Sequence, residues 1–423
     1  MISKAFTVLK EHYKLGVVFS LAKATVYFTP LLLADVLTKT DFGILEYALA
    51  GLGMIVNTII NIGVPGAYPY FILKQKKLEL ANAFKLHPII LIIPFLINQI
   101  LFYGFNFNIN YYMAFNMSFI IANQVFYSTQ LKSHERSVLA VIIDSGIYIL
   151  LLVYYLLLKL SGLTANIDSL NITIQLYSFY YVLYGILVFY KVDKNELFEK
   201  YKNILRYSIH LLLSTFLIFL ITTSGRILVE LFFDFETVGI YAFYFRLAAV
   251  VVMIHQIVNI AYFKKIYTLD PKILDKYYFL FFILIFFLSI FTYIALPLIA
   301  SHISNFFVGT YTENKQVYFL LSVQMVMWIA TALNSSIIDR ENLTSKNNPK
   351  FLILIVFSAI VLFFIKNRMS LQLLTFIHLT VIFLASLIQY HSLYRAKIYF
   401  KKSFLTLLIV YTLSTYYFIN VLK

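Results

Sequence analysis

Long apolar stretches alternate with short charged loops along the whole chain. Each stretch is close to the length of about 20 residues that an α-helix needs to cross a bilayer. Thirteen of them are predicted as spans, at 15–37, 42–65, 87–107, 111–131, 137–160, 172–190, 207–229, 237–262, 277–300, 316–338, 350–366, 371–393 and 403–420. The last stretch is rich in Thr and Tyr, so a helix lying in the membrane interface is the alternative there. The pattern predicts an all-α polytopic membrane protein.

The composition supports this class and excludes others. Of the 423 residues, 61% are hydrophobic and 13% are charged. Soluble domains have about 45–50% apolar and about 25% charged residues. A water-soluble globular protein and a disordered chain are therefore excluded. The chain has no cysteine, which excludes disulfides, iron–sulfur clusters and thiol catalysis.

The distribution of lysine and arginine predicts the orientation in the membrane. Of the 34 cationic side chains, 25 lie in loops on the N-terminal side of the membrane and five on the opposite side. Because Lys and Arg accumulate in cytoplasmic loops, the N-terminus is predicted to be cytoplasmic. The net charge of +15 is therefore mostly a topology signal, and nucleic acid is not an expected partner.

A short element occurs twice. Residues 41–48 open the second predicted span and residues 237–244 the eighth, both with an aromatic-rich Gly-Ile element, at an offset of 196 residues. Six spans separate the two elements, so the halves keep the same orientation and are predicted to be parallel repeats. The predicted organisation is an N-terminal six-helix lobe at 1–190, a cytoplasmic linker at 191–206, a C-terminal six-helix lobe at 207–393 and an extra helix at 394–423.

The same residues carry a family resemblance. The segments are Asp41-Phe42-Gly43, Asn61-Ile62-Gly63-Val64-Pro65, Ser224-Gly225-Arg226 and Val238-Gly239-Ile240-Tyr241. They resemble the second helix and the seventh-to-eighth hairpin of bacterial O-antigen and capsule flippases, which belong to the multidrug/oligosaccharidyl-lipid/polysaccharide exporter superfamily. The likeness in length, helix count and repeat covers residues 1–393. One departure is Gly225, where family members often have an aspartate.

The resemblance implies both an architecture and a function. Two six-helix lobes would surround a central cavity that opens alternately to each side, with 12 core helices and a thirteenth at the end. The expected substrate is undecaprenyl pyrophosphate carrying a short glycan, used in O-antigen, lipopolysaccharide or capsule biosynthesis. The protein would be a transporter of the bacterial inner membrane and not an enzyme. Expected partners are the lipid-linked glycan, membrane lipids, a polysaccharide polymerase and a chain-length regulator.

Three cations fall within the predicted spans and need an explanation. A pyrophosphate can cross about 30 Å of hydrocarbon only if the path supplies positive and hydrogen-bonding groups. Lys23, Arg226 and Arg246 are the candidates, and Tyr27 shares the helix face of Lys23. The arginine fork suits a pyrophosphate. Arg226 lies near the outer end of its span, so snorkelling to the outer headgroups is its alternative.

The remaining polar positions suggest gating and ion coupling. Asp144 lies at a depth similar to that of Lys23, so the two form an intralobe ion pair, or Lys23 lines the cavity, or both. Glu46 and Asn57 lie on one small-residue face of the second span, which serves the substrate cavity or helix packing. A contact between Glu46 and Arg226 is hypothesised to close the outer gate.

The source of energy is predicted to be an ion. The chain has no nucleotide-binding G-x-x-x-x-G-K-[ST] motif, so proton or sodium coupling through Glu46 and Asp144 is expected, with His255 and His378 as less favoured carriers. Downhill flipping without coupling is the alternative. Neither a metal nor another cofactor is expected, because the histidines show no metal-ligand spacing.

Two other functions are weighed against the flippase. A cation-coupled multidrug exporter of the same fold should have a cavity dominated by acidic residues, whereas here three intramembrane cations face two acids. A membrane polysaccharide polymerase or glycosyltransferase needs a catalytic constellation or a large outer loop. The longest predicted outer loop, 301–315, contains only His302 and Glu313 as candidates.

Overall fold

The chain folds almost entirely into helices. The computed structural model describes residues 2–192, 196–255, 269–341 and 343–421, with side chains from residue 16 onward. It is 88% helical, and the described part contains no strand. The helices are α1 (Ile2–Ala34), α2 (Lys39–Ala50), α3 (Leu52–Asn61), α4 (Val64–Pro69), α5 (Ala81–Phe84), α6 (His87–Phe105), α7 (Ile109–Ser133), α8 (Ser137–Asp144), α9 (Gly146–Ser161), α10 (Ile167–Tyr190), α11 (Leu197–Thr222), α12 (Gly225–Phe232), α13 (Phe235–Ala248), α14 (Pro271–Ile303), α15 (Asn305–Arg340), α16 (Thr344–Ile365), α17 (Leu371–Arg395) and α18 (Lys401–Asn420).

The predicted class of an all-α polytopic membrane protein is confirmed. Among the described residues, ten helical segments are long and apolar enough to cross a membrane, and the bent pair α8–α9 makes eleven. Two of the thirteen predicted spans are outside this count. The span 111–131 coincides with α7, which is long enough but rich in buried amides and hydroxyls. The span 237–262 begins with α13 and extends into residues 256–268, which lie outside the described part.

Several predicted single spans are interrupted by helix breaks. Span 42–65 divides at Gly51, whose φ of −105° and ψ of −113° separate α2 from α3. Span 137–160 bends by 58° between α8 and α9. In the predicted linker 191–206, α11 already begins at Leu197, so most of that segment is helical.

The chain divides into two compact units, and the boundary falls inside α11 between Phe216 and Leu217. In the first unit α7 is the central helix and packs against α2, α3, α6 and α10. Its buried amides are used in packing: Asn116 Oδ1 accepts hydrogen bonds from Asn98 Nδ2 and Gln99 Nε2, both at 3.0 Å. Hydrogen bonds between buried side chains of neighbouring helices hold membrane bundles together.

The second unit is built around α15, most of which is buried. This helix packs against α13, α14 and α17. Helix α7 corresponds to the fourth predicted span of the N-terminal lobe, and α15 corresponds to the fourth predicted span of the C-terminal lobe. Each also packs against the second, third and sixth spans of its own unit. The two units thus share these contacts of their fourth spans, but α7 also packs closely against α8, and in the described part of the chain α15 has no comparable contact with α16.

Two pairs of helix N-caps are separated by the same number of residues in the sequence. Thr38 caps α2 and Asp234 caps α13, each through its side-chain oxygen, and these positions are 196 residues apart (234 − 38). Asn108 and Ser304 cap α7 and α15 in the same manner, again at a separation of 196 residues (304 − 108). This separation equals the offset of the sequence element.

The final helix, α18, is attached to α14 by a buried carboxylate. Asp275 Oδ2 accepts a hydrogen bond from the Lys402 amide at 3.0 Å, and Oδ1 accepts from the amide and hydroxyl of Ser403 at 2.9 and 2.8 Å. The first amides of a helix have no partner within the helix, and an anion there is favoured by the helix dipole. By length and composition α18 qualifies as a span.

Candidate functional site

The segment Asn61–Pro65, which carries part of the resemblance, forms a tight turn. Ile62 and Gly63 both adopt left-handed backbone conformations, with φ of 50° and 71°, and so end α3. A Cβ atom at Gly63 would overlap the carbonyl oxygen of Ser208 in α11. Glycine is therefore required at position 63 for both its conformation and the close approach.

A chain of four buried polar side chains starts at this turn. Asn61 Nδ2 donates to Asn57 Oδ1 at 2.7 Å, and Asn61 Oδ1 lies 3.1 Å from His87 Nε2. Because that oxygen can only accept, His87 Nε2 is the donor. His87 Nδ1 lies 2.8 Å from the Tyr201 hydroxyl. The structure therefore places Asn57, predicted to line the cavity, in a chain that joins α3, α6 and α11 within the first unit.

We expect His87→Leu to destabilise the protein, because Asn61 and Tyr201 would lose their partners in a buried site. An unpaired buried polar group costs about 1–3 kcal/mol. Tyr201→Phe removes a single hydrogen bond and should cost about 0.5–1.5 kcal/mol. Thermal unfolding of the purified variants in one detergent measures both effects. An unchanged melting temperature for His87→Leu would contradict a structural role for this chain.

Part of the polar face of the second span is used in helix packing. Glu46 is fully buried, and Asn57 is 6% exposed. The Ser118 hydroxyl of α7 donates to the carbonyl of Gly53 at 2.9 Å, and a Cβ at Gly53 would overlap the carbonyl of Ala48. For Gly53, therefore, the packing interpretation is the one that the contacts support. Glu46 and Arg226 belong to different units, so the gate between them stays a prediction.

Lys23 and Asp144 are brought near one another in the first unit. Lys23 is half-buried on α1, with Nζ 5.7 Å from the centroid of the Phe19 ring, and Tyr27 is half-buried one turn further on. Asp144 at the end of α8 attracts Lys23 electrostatically and accepts a hydrogen bond from Ser128 at 3.3 Å. This arrangement agrees with the predicted similar depth of the two charges.

Arg226 and Arg246 are both buried in the second unit. Arg226 is 3% exposed on α12 and Arg246 is 6% exposed on α13. The Arg226 guanidinium carbon lies 4.7 Å from the centroid of the Phe245 ring, so the α12–α13 hairpin places Arg226 against the neighbour of Arg246. Burial of Arg226 within its own unit disfavours the alternative that its side chain snorkels to the outer headgroups.

The Tyr241 ring fills the space beside Gly225. A Cβ atom at Gly225 would overlap the Tyr241 hydroxyl and would lie 2.8 Å from Cζ of the same ring. Tyr241 is 1% exposed and interacts electrostatically with Arg226. The phenol beside Arg226 therefore occupies the space that a side chain at position 225 would need.

We expect Gly225→Ala to destabilise the second unit by about 1–3 kcal/mol, the usual cost of overfilling a packed site. Tyr241→Ala in the same chain should recover part of that loss by making room for the new methyl group. A double-mutant cycle of melting temperatures measures the coupling between the two positions. Strictly additive effects would contradict the close contact.

The two less favoured histidines are packed inside the second unit. His378 Nε2 donates to the carbonyl of Ile221 at 3.0 Å, which holds the end of α11 against α17. His255 is 5% exposed and meets the Trp328 ring edge-on, with centroids 6.1 Å apart. Among the described residues, no group of three or more His, Cys, Asp and Glu side chains is arranged to hold a metal ion.

The fold and these buried charges define a class: a polytopic helical membrane protein with cations inside apolar helices. Comparison of the chain with protein-family models, with curated proteins and with solved structures found no match. The family resemblance therefore rests on the segments quoted above.

Proposed function

We propose that the protein is a flippase that moves undecaprenyl-pyrophosphate-linked oligosaccharide repeat units from the cytoplasmic to the outer leaflet by alternating access. Its location would be the bacterial inner membrane, with the N-terminus in the cytoplasm. In this proposal Lys23, Arg226 and Arg246 attract the pyrophosphate, while Tyr27 and Asn57 contact the polar part of the substrate. The isoprenoid tail remains in lipid.

The observation that carries the proposal is the burial of two arginines in apolar helices of one unit. Removing a cation from water costs several kcal/mol even after the protein relaxes. Intramembrane charges are therefore rare and mark substrate or ion pathways. Each guanidinium offers a planar set of donors that matches phosphate oxygens. The sign and the chemistry of these residues both suit a pyrophosphate.

Two pairs of helix N-caps at the same separation, and the contacts that α7 and α15 have in common, support two lobes derived from one six-helix unit. The separation of 196 residues is found in the sequence element and in two pairs of helix caps. Parallel repeats about an axis normal to the membrane are one basis for alternating access, in which one lobe moves against the other.

Coupling in this proposal uses protons or sodium ions at Glu46 and Asp144. Glu46 would also contact Arg226 to close the outer gate when the cavity faces the cytoplasm. We expect Glu46→Gln to weaken the closed gate, because a neutral amide loses the attraction to a guanidinium. Labelling of engineered cysteines from the outer side measures this, with Glu236→Gln as the control. Unchanged labelling and unchanged transport would contradict the gate.

The proposed function is tested by locating the substrate in cells that depend on this protein. We expect Arg246→Ala to trap lipid-linked repeat units in the cytoplasmic leaflet, where glycan-modifying enzymes added to right-side-out vesicles cannot reach them. Arg395→Ala, at an exposed position of α17, is the matched control and should behave as the native protein. Normal outer-leaflet delivery by Arg246→Ala at equal expression would refute the cationic pathway.

A further inference from the structure

A long crevice separates α9 from α10 in the first unit. These helices follow one another in the chain, but α9 packs mainly against α1, whereas α10 packs against α6 and α7. The space between them is a cavity of about 1110 Å³. A second cavity of about 510 Å³ shares Leu150, Tyr177 and Tyr180 with the first and continues the crevice towards Thr173. Typical small-molecule pockets measure about 300–1,000 Å³.

The two walls of the crevice differ in chemistry. The wall formed by α8 and α9 is apolar and consists of Leu139, Ile142, Ile149, Leu150 and Val153. The opposite wall is formed by tyrosines, namely Tyr127 of α7 and Tyr177, Tyr180, Tyr181 and Tyr184 of α10. Positions 177, 180, 181 and 184 share one face of a helix. One wall can therefore cover a hydrocarbon chain while the other offers ring faces and hydroxyl groups.

The tyrosine wall is ordered by ring contacts. The rings of Tyr177 and Tyr180 are stacked with centroids 6.0 Å apart, and those of Tyr180 and Tyr184 are stacked at 6.2 Å. Tyr127 meets Tyr184 edge-on at 5.0 Å. Because Tyr180 and Tyr184 are 54% and 41% exposed, this ordered wall is open along one side.

One buried hydroxyl on this wall has no partner in the described part of the chain. Tyr127 is 8% exposed, lines the cavity, and its hydroxyl forms no hydrogen bond there. A buried donor without an acceptor costs about 1–3 kcal/mol, so nearly all such groups are paired in folded proteins. Because the hydroxyl oxygen is enclosed by the protein itself, Tyr127 contributes its ring, and not its hydroxyl, to the wall of the crevice.

The mouth of the crevice is basic. Lys85, His134 and Arg136 line it, and its lining includes no Asp or Glu. The Tyr68 hydroxyl lies 3.0 Å from His134 Nε2. Burial raises the pKa of Tyr68, so this hydroxyl stays protonated and donates to Nε2. This contact leaves the Nδ1 side of the His134 ring available to another partner.

We propose that the crevice between α9 and α10 binds an anionic phospholipid, with the phosphate held by Lys85, His134 and Arg136 and an acyl chain between the apolar wall and the tyrosine wall. Charge complementarity at the mouth selects the phosphate. All of these residues belong to the first unit. The inference does not depend on the proposed flippase function.

The walls and the mouth together distinguish this occupant from others. A free phosphate would use the cations but leave the apolar wall uncovered. Phosphatidylcholine also carries a phosphate, but its choline cation cancels the net charge, so the cations at the mouth attract it less strongly than an anionic phospholipid. A phospholipid with net negative charge matches both ends, and each Lys or Arg near a membrane surface adds about 1 kcal/mol of attraction for anionic lipid.

Titration of the purified full-length protein with phosphatidylglycerol and with phosphatidylcholine, read by native mass spectrometry, tests the site. We expect phosphatidylglycerol to bind more tightly, and Lys85→Gln/Arg136→Gln to weaken its binding about 10- to 30-fold, as expected for two lost charges. Lys132, in the last turn of α7, is exposed and does not line the crevice, so Lys132→Gln should bind as the native protein does.

A second variant tests the crevice apart from its mouth. Leu150 lines both cavities of the crevice. Leu150→Trp should therefore fill part of the crevice and reduce binding of phosphatidylglycerol without changing any charge. Equal binding of both lipids, an equal effect of Lys132→Gln, or full binding by Leu150→Trp would each overturn the proposal. Displacement of the lipid by inorganic phosphate alone would also overturn it, because the acyl chain would then contribute nothing. Transport is not measured, so these outcomes are independent of the flippase proposal.

Discussion

Arg246→Gln is expected to slow flipping of a pyrophosphate-linked glycan about 10- to 100-fold in reconstituted vesicles. A hydrogen bond to a charged group contributes about 1.5–3 kcal/mol, and each 1.4 kcal/mol is a factor of about ten. Arg246 is 6% exposed within the second unit, so its charge is weakly screened by water. Gln keeps a polar side chain of smaller size but removes both the charge and the fork.

The lysine variant separates charge from geometry. Arg246→Lys keeps the positive charge but loses the planar bidentate fork, so we expect an intermediate rate. Arg226→Gln should also slow flipping, and the double variant should be slower than either single one. Equal rates for Arg246→Lys and Arg246→Gln would show that the positive charge at position 246 does not contribute to flipping of the substrate. A melting temperature near that of the native protein is required for each comparison.

Asp275→Ala is expected to release α18 from α14 and to lower the free energy of unfolding by about 2–4 kcal/mol, because three donors lose a charged acceptor. Two of these donors are the first amides of α18, those of Lys402 and Ser403, and Asp275 is 6% exposed. The helix start would then be both uncapped and without its favourable anion.

Two milder variants make this prediction specific. Asp275→Asn keeps one acceptor oxygen and should cost less than Asp275→Ala. Ser403→Ala removes only the hydroxyl donor and should cost about 0.5–1.5 kcal/mol. Thermal unfolding and protease sensitivity of the segment before α18 measure these effects. If Asp275→Ala unfolds at the native temperature, the carboxylate does not anchor the helix.

The positions of the helices were predictable from the sequence, whereas their breaks were not. The length of the apolar stretch alone predicts one continuous helix at 42–65. From the sequence, a glycine at 51 or 53 is interpreted as a small residue in a helix-packing face and not as a helix break. Two residues after the break at Gly51, the Gly53 carbonyl accepts a hydrogen bond from Ser118 of α7, a contact between positions that are distant in the sequence. The bend between α8 and α9 likewise cannot be derived from hydropathy, since Asp144 and Ser145 could equally belong to a straight helix.

The candidate residues were only partly predictable for a similar reason. The intramembrane cations could be found because their cost in hydrocarbon makes them conspicuous. The role of Asn57 depends on Asn61, His87 and Tyr201, which converge from three helices. The crevice was not predicted because Lys85 and Arg136 were already explained as cationic residues of cytoplasmic loops. The spacing of the tyrosines at 177, 180, 181 and 184 was the available signal.

The space beside Gly225 is filled by a side chain of the following helix. The Tyr241 phenol lies where a side chain at 225 would be, next to Arg226. If an aspartate stood there, it would bring a negative charge close to this arginine.

The central claim is that buried cations serve the pyrophosphate of the substrate. The most direct measurement compares flipping, by the purified protein in vesicles, of one glycan attached to a polyprenyl pyrophosphate, a polyprenyl monophosphate and an uncharged polyprenyl lipid. We predict that the native protein flips the pyrophosphate form fastest and the uncharged form slowest, and that Arg246→Gln removes most of this preference. Equal rates for the three lipids, or an unchanged preference in Arg246→Gln, would contradict the claim.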